Sequence, residues 1–289
     1  MRRAAWILPL ALLGVAAAFL LLPDRAKPSA PAGRPQRIVC LAPSLTETVF
    51  ALGAGDRVVG VTEWCDVPPE AKTRAKVGGM GEPNLEAIVA LHPDLVLVPG
   101  IGKTDAYQRL RELGYRVEVV DPHSVGETLE TIRVIGAWIG AEAAVNALVH
   151  RMAADRDALA ARIAGRPPVR AVFVVGHDPL FVAGEGTFVD DLLRTAGAEN
   201  ACSDAKGWAR YGMEEFLARN PDVILDSTMG NERGSDEALV AYWAKWKDLG
   251  AVAGKRVYAV DSDLTNRPGP RIVDAIEHLA RFLHPEAFR

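Results

Sequence analysis

The sequence predicts an α/β fold of two lobes, each with a central, mostly parallel sheet flanked by helices, joined by a single long α-helix. Three observations predict this architecture. The chain has 289 residues, which suits two lobes of roughly 120 residues each better than one average domain. Short apolar segments alternate with helical segments in both halves, as they do in parallel sheets that are covered on both faces. Between them, residues 124–165 show helical periodicity alone.

The first lobe is predicted over residues 37–123. Its first strand runs from Arg37 to Ala42, a short apolar segment that Pro43 ends. Ser44 is placed to cap the following helix, with Glu47 three residues later, as in a capping box. Further strands are predicted at 57–61, 95–98 and 116–120, and helices at 45–52, 85–91 and 107–113.

Residues 124–166 are predicted to form the connecting helix. Apolar residues recur there at helical spacing, and no proline interrupts the segment. At the usual rise per residue, such a helix would extend about 60 Å. Gly136 and Gly140 are the positions at which we expect it to bend.

The second lobe is predicted over residues 167–289, and an internal match indicates that it is similar to the first. Strands are predicted at 170–175, 223–226 and 256–260, and helices at 188–196, 237–243 and 272–283. LEAIVALHPDLVL (85–97) resembles MEEFLARNPDVIL (213–225) at a constant offset of 128 residues. Any unit of helix, Pro-Asp and strand would explain the proline and the apolar residues. It explains the glutamate at the start of both helices less well.

The N-terminal segment differs from the rest of the chain. Residues 1–23 begin with two arginines and continue with 20 uncharged residues, which is typical of a secretory signal or an N-terminal membrane anchor. Both alternatives stay open, because Ala30-Pro31-Ala32 offers a cleavage site and the uncharged stretch is just long enough to span a bilayer. Residues 24–36 form a polar, Pro-rich tether. Either alternative predicts a periplasmic or extracytoplasmic location.

The charge balance argues against a nucleic-acid partner. The formal net charge is −4, whereas nucleic-acid binders usually carry a basic excess. Residues 1–36 carry five basic and one acidic side chain, a net of +4, so the remaining residues carry −8. The sequence also lacks GxSxG, a P-loop, GxGxxG after a strand, and zinc-binding spacings such as HExxH and CxxC. We therefore expect neither a catalytic site nor a metal site.

Several segments together resemble one family. They are RIVCLAPSLTETVFALGAGDRVVGVTEWCDVPPEAK (37–72), KVGGMGEPNLEAIVALHPDLVLV (76–98), PLFVAGEGTFVDDLLRTAGAEN (179–200), EEFLARNPDVIL (214–225) and RPGPRIVDAI (267–276). In this order and spacing they resemble the helical-backbone substrate-binding proteins of ABC importers, which serve cobalamin, haem and ferric siderophores. Within this family they resemble the cobalamin-binding member in particular.

The resemblance implies a non-catalytic protein that holds a corrinoid in the cleft between its lobes and delivers it to the permease dimer of an ABC importer. It implies no cofactor, since the bound metal chelate is the cargo. We expect a monomer whose N-terminal segment contacts the membrane if it is uncleaved. A ferric siderophore or haem is the alternative ligand. A chelatase-like enzyme, or a zinc or manganese binder on a similar scaffold, is less favoured, because the His residues lie on scattered elements.

Candidate ligand-binding residues of the first lobe lie where predicted strands end, which is the usual ligand edge of parallel sheets. They are Pro43, Ser44, Leu45, Glu63 and Trp64, and Met80 joins them from the loop GGMG (78–81), whose glycines leave the backbone exposed. Amides at the start of the first helix can face a polar ligand group, although helix capping alone explains Ser44 equally well. The family resemblance assigns Trp64 to the cleft, where an indole can stack on a macrocycle.

The second lobe supplies the other candidates, which are His177, Asp178, Phe181, Trp208, Arg210 and Arg267. His177 would reach the axial face of a cobalt corrinoid or a ligand amide, although a lone histidine is more often a surface or supporting group. Trp208 and Arg210 belong to the polar loop GWARYG, where such side chains are costly to expose without a partner. Arg267 matches the cleft arginine of the family. Arg271 is assigned to a helix start or a lobe contact.

Two further pairs of residues complete the predictions. The family presents one acidic residue per lobe to arginines of the permease, and the internal match makes Glu86 and Glu214 the equivalent pair; compensation of the helix dipole is the simpler alternative. Cys40 ends the first strand and Cys65 follows the second, so their separation suits a disulfide if these strands are neighbours, and an exported location permits one. Cys202 has no evident partner.

Overall fold

A computed structural model describes residues 33–100, 105–228 and 236–289. The first lobe contains five strands, all parallel, in the spatial order β3-β2-β1-β4-β5. They are β1 (Ile38–Cys40), β2 (Val58–Val61), β3 (Ala75–Lys76), β4 (Leu95–Pro99) and β5 (Val117–Val120). The helices of this lobe are α1 (Pro43–Ala51), α2 (Leu85–Ala90) and α3 (Asp105–Glu112). Because the central strands are buried on both faces, they are continuous apolar runs, as predicted.

The connection between the lobes consists of two helices, α4 (Val125–Ile139) and α5 (Glu142–Ile163), so the predicted single helix is corrected. The break occurs at Gly140, which adopts the left-handed conformation (φ 68°) that ends many helices. Val145 of α5 packs against Gly136, where an added Cβ would lie only 2.0 Å from a Val145 methyl carbon. The two glycines therefore produce a sharp turn rather than a gentle bend.

The second lobe has a six-stranded mixed sheet. Its path is β11-β10-β6-β7-β9, and β8 pairs with β6 in parallel. The strands are β6 (Val169–His177), β7 (Leu180–Ala183), β8 (Ala198–Asn200), β9 (Trp208–Arg210), β10 (Val223–Asp226) and β11 (Val257–Ala259). The helices are α6 (Phe188–Thr195), α7 (Met213–Arg219), α8 (Asp236–Trp243), α9 (Gly250–Ala253), α10 (Ser262–Thr265) and α11 (Ile272–Leu283).

The internal match corresponds to equivalent structure in the two lobes. α2 precedes β4, which pairs with β1, and α7 precedes β10, which pairs with β6. His92 and Asn220, 128 residues apart, both have positive φ angles, 45° and 43°. The amide of Asp94 donates to Arg37 O (2.9 Å), and that of Asp222 donates to Arg170 O (2.8 Å). The two lobes therefore share one helix–strand unit.

One continuous apolar core joins the lobes. It includes the inner strands of both sheets, the buried side of α4 and α5, and α11. Ile132, Ile135 and Ile139 of α4 are fully buried in it. Since this core is continuous, we expect relative movement of the lobes to be small.

The predicted signal or anchor, residues 1–23, lies outside the described residues, as does the tether up to residue 32. Within the described ranges, no helix is both long enough and apolar enough to cross a bilayer.

Candidate ligand cleft

A cleft of about 470 Å³ lies between the two lobes. The first lobe contributes residues at or after the carboxyl ends of its strands, and the second contributes the start of α6, the start of β9 and the segment after β11. The cleft therefore lies at the carboxyl edge of the first sheet, where ligands of parallel α/β sheets usually bind. Its volume is within the range of about 300–1,000 Å³ that is usual for ligand sites. Its lining includes Pro43, Ser44, Leu45, Trp64, Met80, Asp121, His123, Phe188, Trp208 and Arg267.

The start of α1 forms part of the cleft wall. Pro43 occupies the first helical position, where its missing N–H costs nothing, and Ala42 is the extended residue before the helix. Ser44 is therefore inside the helix, and the predicted capping box is wrong. Ser44 and Leu45 line the cleft nonetheless.

Two tryptophans, one from each lobe, are exposed in the cleft. Trp64 is 64% exposed and Trp208 is 46% exposed, although large aromatic side chains are normally well buried. Met80, 38% exposed, lies in the same lining. Exposed aromatic surface rimmed by polar groups is typical of a binding site. These three side chains can cover an apolar, planar ligand from both lobes.

Sequence reasoning missed the polar segment Asp121-Pro122-His123. It follows β5 directly, so the rule that located Trp64 after β2 would have located it too. Nε2 of His123 lies 3.6 Å from an Asp121 carboxylate oxygen. The backbone N–H of His123 donates to Glu127 (2.7 Å), which fixes the segment at the start of α4. This segment adds a carboxylate and an imidazole to the cleft.

Arg267 lines the cleft, but its guanidinium is already bound by acidic groups. It donates to Glu47 (3.3 Å) and Asp66 (2.9 Å) of the first lobe and to Asp263 of its own lobe. It also donates to Trp64 O at 3.4 Å. The resemblance implies that Arg267 donates to amides, carboxylates or phosphate of a ligand, and this stays a prediction. In the structure Arg267 holds Trp64 and α1 in position.

Glu47 is the centre of this cluster. Its side chain is only 4% exposed, and both of its oxygens accept hydrogen bonds from Arg271 (2.8 Å each). We call Glu47, Asp66, Asp263, Arg267 and Arg271 the interlobe charge cluster. Glu47 and Asp66 belong to the first lobe and the other three to the second. Buried carboxylate–guanidinium pairs of this kind are stable only when each charge is paired. The cluster therefore fixes one lobe against the other beside the cleft.

The interlobe charge cluster lowers the pKa of an acidic member and raises the pKa of a basic member. Burial alone would raise the pKa of Asp66, but the hydrogen bond and charge of Arg267 outweigh burial and lower that pKa. Burial alone would lower the pKa of Arg267, and its acidic partners raise it instead. Both side chains are therefore held in their charged forms.

Five of the predicted ligand residues lie outside the cleft lining. Nε2 of His177 contacts the fully buried Asp226 at 2.6 Å, and its ring stacks on Tyr242 with centroids 3.9 Å apart. A histidine that is bonded and stacked in this way supports the ends of β6 and β10 and is not presented to the cleft. Also outside the lining are Glu63, Asp178, Phe181 and Arg210.

The predicted disulfide is not formed, because Cys40, Cys65 and Cys202 are all free thiols in the part of the chain that the structure describes. The strands β1 and β2 are neighbours, as expected. Cys65 Sγ, however, lies 3.1 Å from the hydroxyls of both Thr46 and Thr62. Burial raises the pKa of the Cys40 thiol, and the nearby Cys65 raises it further. Both cysteines therefore behave as small core residues.

No group of three or more His, Cys, Asp or Glu residues is arranged to hold a metal ion within residues 33–100, 105–228 and 236–289.

Comparisons with known proteins agree with this geometry. A family model described as periplasmic binding protein matches residues 38–264. YvrC of Bacillus subtilis (strain 168), an uncharacterised ABC transporter substrate-binding lipoprotein, is 36% identical over 263 residues, which cover 88% of this chain and 82% of YvrC. The vitamin B12-binding protein of Salmonella choleraesuis (strain SC-B67) is 32% identical over 249 residues, 86% of this chain and 90% of that protein.

The solved structures give the same fold. The periplasmic haem-binding protein BhuT, in complex with two haems, is similar with a TM-score of 0.79 and 31% identity, over 89% of this chain and 100% of BhuT. The predicted α/β fold class and the family resemblance are thereby confirmed. The chain belongs to the periplasmic binding protein family, whose members are substrate-binding proteins of ABC importers rather than enzymes.

Proposed function

We propose that this protein binds a corrinoid of the cobalamin class in the interlobe cleft and delivers it to the permease dimer of an ABC importer outside the cytoplasm. One observation carries the proposal: two exposed tryptophans from opposite lobes line a cleft in which the arginine is already neutralised by carboxylates. A flat, largely apolar macrocycle with neutral amide side chains fits this combination. Trp64 and Trp208 would pack against the apolar parts of the macrocycle, and Asp121 and Ser44 would bond to its amides.

The charge of the cleft separates corrinoids from ferric siderophores. Catecholate complexes of iron carry net negative charge and require cationic partners. Asp121 and Asp263 line the cleft, and the guanidinium of Arg267 is bound by three carboxylates. A strongly anionic chelate would therefore be repelled, whereas neutral amides would not be.

Haem is the second candidate, and His123 is the observation that favours it. The imidazole lies in the cleft beside Asp121, and histidines that ligate metals commonly have a carboxylate partner. The related BhuT is a haem-binding protein. Haem, however, brings two propionates, and the cleft lining offers no uncommitted arginine or lysine among the described residues. We therefore place haem second.

Titration of tryptophan fluorescence tests the ligand directly. The full chain, kept in detergent, is titrated separately with cobalamin, haem and a ferric catecholate siderophore. Trp64 and Trp208 would be quenched by a stacked chelate, so cobalamin is expected to quench with micromolar or tighter affinity. Quenching by haem or the siderophore with cobalamin inert would reassign the ligand, and no quenching by any of them would contradict the transport function.

We propose further that Glu86 and Glu214 dock the protein onto the permease. Each lies exposed in the first turn of its helix, α2 or α7, at equivalent places in the two lobes. Neither carboxylate has a hydrogen bond or an ion pair with any described residue. One free acidic group on each lobe suits a partner that has two basic patches. Charge pairs between such groups determine the orientation of docking and the association rate more than the affinity.

Replacing Glu86 and Glu214 together by alanine is expected to abolish uptake of labelled cobalamin while the affinity for cobalamin stays unchanged. The double variant Glu142→Ala plus Glu237→Ala is the matched control, because both residues are exposed acids on other helices. Uptake is measured in cells that contain the cognate importer. Loss of ligand binding in the first variant, or equal loss of uptake in the control, would contradict the docking role.

A further inference from the structure

Arg210 lies beside the cleft on the same strand face as Trp208. The two residues are the ends of β9 and are separated by one residue, so their side chains leave the strand on the same side, roughly 7 Å apart. Opposite them on β7, Phe181 pairs with Arg210 and Ala183 pairs with Trp208. The wall formed by Trp208 therefore continues past the cleft rim to Phe181 and Arg210.

The guanidinium of Arg210 is uncommitted. It is exposed and has no hydrogen bond, ion pair or aromatic contact with any residue in the described ranges. Arg267, by contrast, is bound by three carboxylates, and Arg219 of the same lobe pairs with Asp204 at 2.6 Å. Arg210 is thus a free cation at the edge of an aromatic platform.

A complete corrinoid carries one anion that its macrocycle lacks. The side chains of the ring are neutral amides, whereas the nucleotide tail is attached through a phosphodiester. A ring stacked on Trp208 would have its tail within reach of Arg210, because Arg210 lies only two residues farther along β9 at the edge of the cleft. A planar guanidinium bonds to phosphate through two parallel N–H groups.

We infer that Arg210 forms an anion subsite for the phosphodiester of the corrinoid's nucleotide tail, so that it selects complete cobalamin over tail-less cobinamide. This inference rests on the proposed function. It assigns specificity for the tail to a residue outside the cleft lining and leaves recognition of the ring to the two tryptophans.

The test compares cobalamin and cobinamide on wild type and on Arg210→Gln, with the full chain in detergent and dissociation constants from fluorescence. Arg210→Gln is expected to weaken cobalamin binding about tenfold, as for one exposed charge-assisted contact, and to leave cobinamide binding unchanged. Arg210→Lys should recover part of the loss. Lys247→Gln, which removes another exposed cation of the same lobe, should change neither affinity. Added salt should weaken cobalamin binding by wild type more than by Arg210→Gln.

The results separate the inference from the function on which it rests. Suppose that wild type binds both cobalamin and cobinamide. If Arg210→Gln then weakens the binding of both equally, or weakens the binding of neither, the phosphate subsite is wrong and the corrinoid function stands. If neither corrinoid binds wild type, the proposed function fails and the subsite fails with it.

Discussion

Replacing Glu47 by glutamine is expected to destabilise the protein by about 3 kcal/mol, because it leaves the guanidinium of Arg271 without its carboxylate and removes one partner of Arg267. The side chain of Glu47 is 4% exposed, so water cannot replace the lost charge. In a protein of this size such a loss lowers the midpoint of thermal unfolding by about 6 °C. Differential scanning calorimetry measures it.

Asp66→Asn is the matched control for Glu47→Gln. Asp66 also contacts Arg267, but its side chain is 42% exposed and binds a single arginine. We therefore expect a loss of at most about 1 kcal/mol, as for partly solvated ion pairs. Equal stability of Glu47→Gln and wild type would show that the interlobe charge cluster does not hold the lobes together.

Replacing Trp64 and Trp208 together by alanine is expected to abolish cobalamin binding without destabilising the fold. Trp64 is 64% exposed and Trp208 is 46% exposed in the absence of ligand, so their removal costs little stability. Each buried indole of a binding site is commonly worth about 2 kcal/mol, or roughly thirtyfold in affinity. If the two contributions add, the double variant binds about a thousandfold more weakly. Isothermal titration calorimetry measures the affinity.

Leu113→Ala serves as the control for the tryptophan variants. Leu113 is 42% exposed, close to the value for Trp208, and lies outside the cleft lining. Its replacement should leave the affinity for cobalamin unchanged. If the double tryptophan variant still bound cobalamin like wild type, the ligand would not lie between the two indoles.

The parts of the fold that could be predicted from the sequence are the strands and helices with a clear local pattern of apolar residues. The apolar strands of the first lobe are buried on both faces, so their pattern is strong, and the ends of β1, β2, β4 and β5 were predicted to within two residues. The short strands β7, β8 and β9 were missed, because three or four residues with polar neighbours carry no clear periodicity. The linker was predicted as one helix, because helical spacing continues across a turn whose left-handed glycine has no side chain to disturb it.

Site residues that follow the end of a strand could be predicted from the sequence. Residues that contact each other across a long stretch of sequence could not. The family resemblance assigned Trp64 to the cleft, and its place after β2 agreed, while Asp121 and His123 follow the same rule but were not recognised. The contact of Glu47 with Arg267 and Arg271 joins residues more than 200 positions apart, and no local signal indicates it. Glu47 matched a capping box by spacing alone, and its true partners became visible only in three dimensions.

Competition among chelates tests the central claim most directly. The full chain in detergent is mixed with equimolar cobalamin, haem and ferric catecholate siderophore, and the protein fraction is separated by size exclusion and identified by its absorption spectrum. The proposed function predicts that cobalamin alone coelutes with wild type and that it does not coelute with the Trp64→Ala, Trp208→Ala double variant. Coelution of haem or siderophore in place of cobalamin would contradict it.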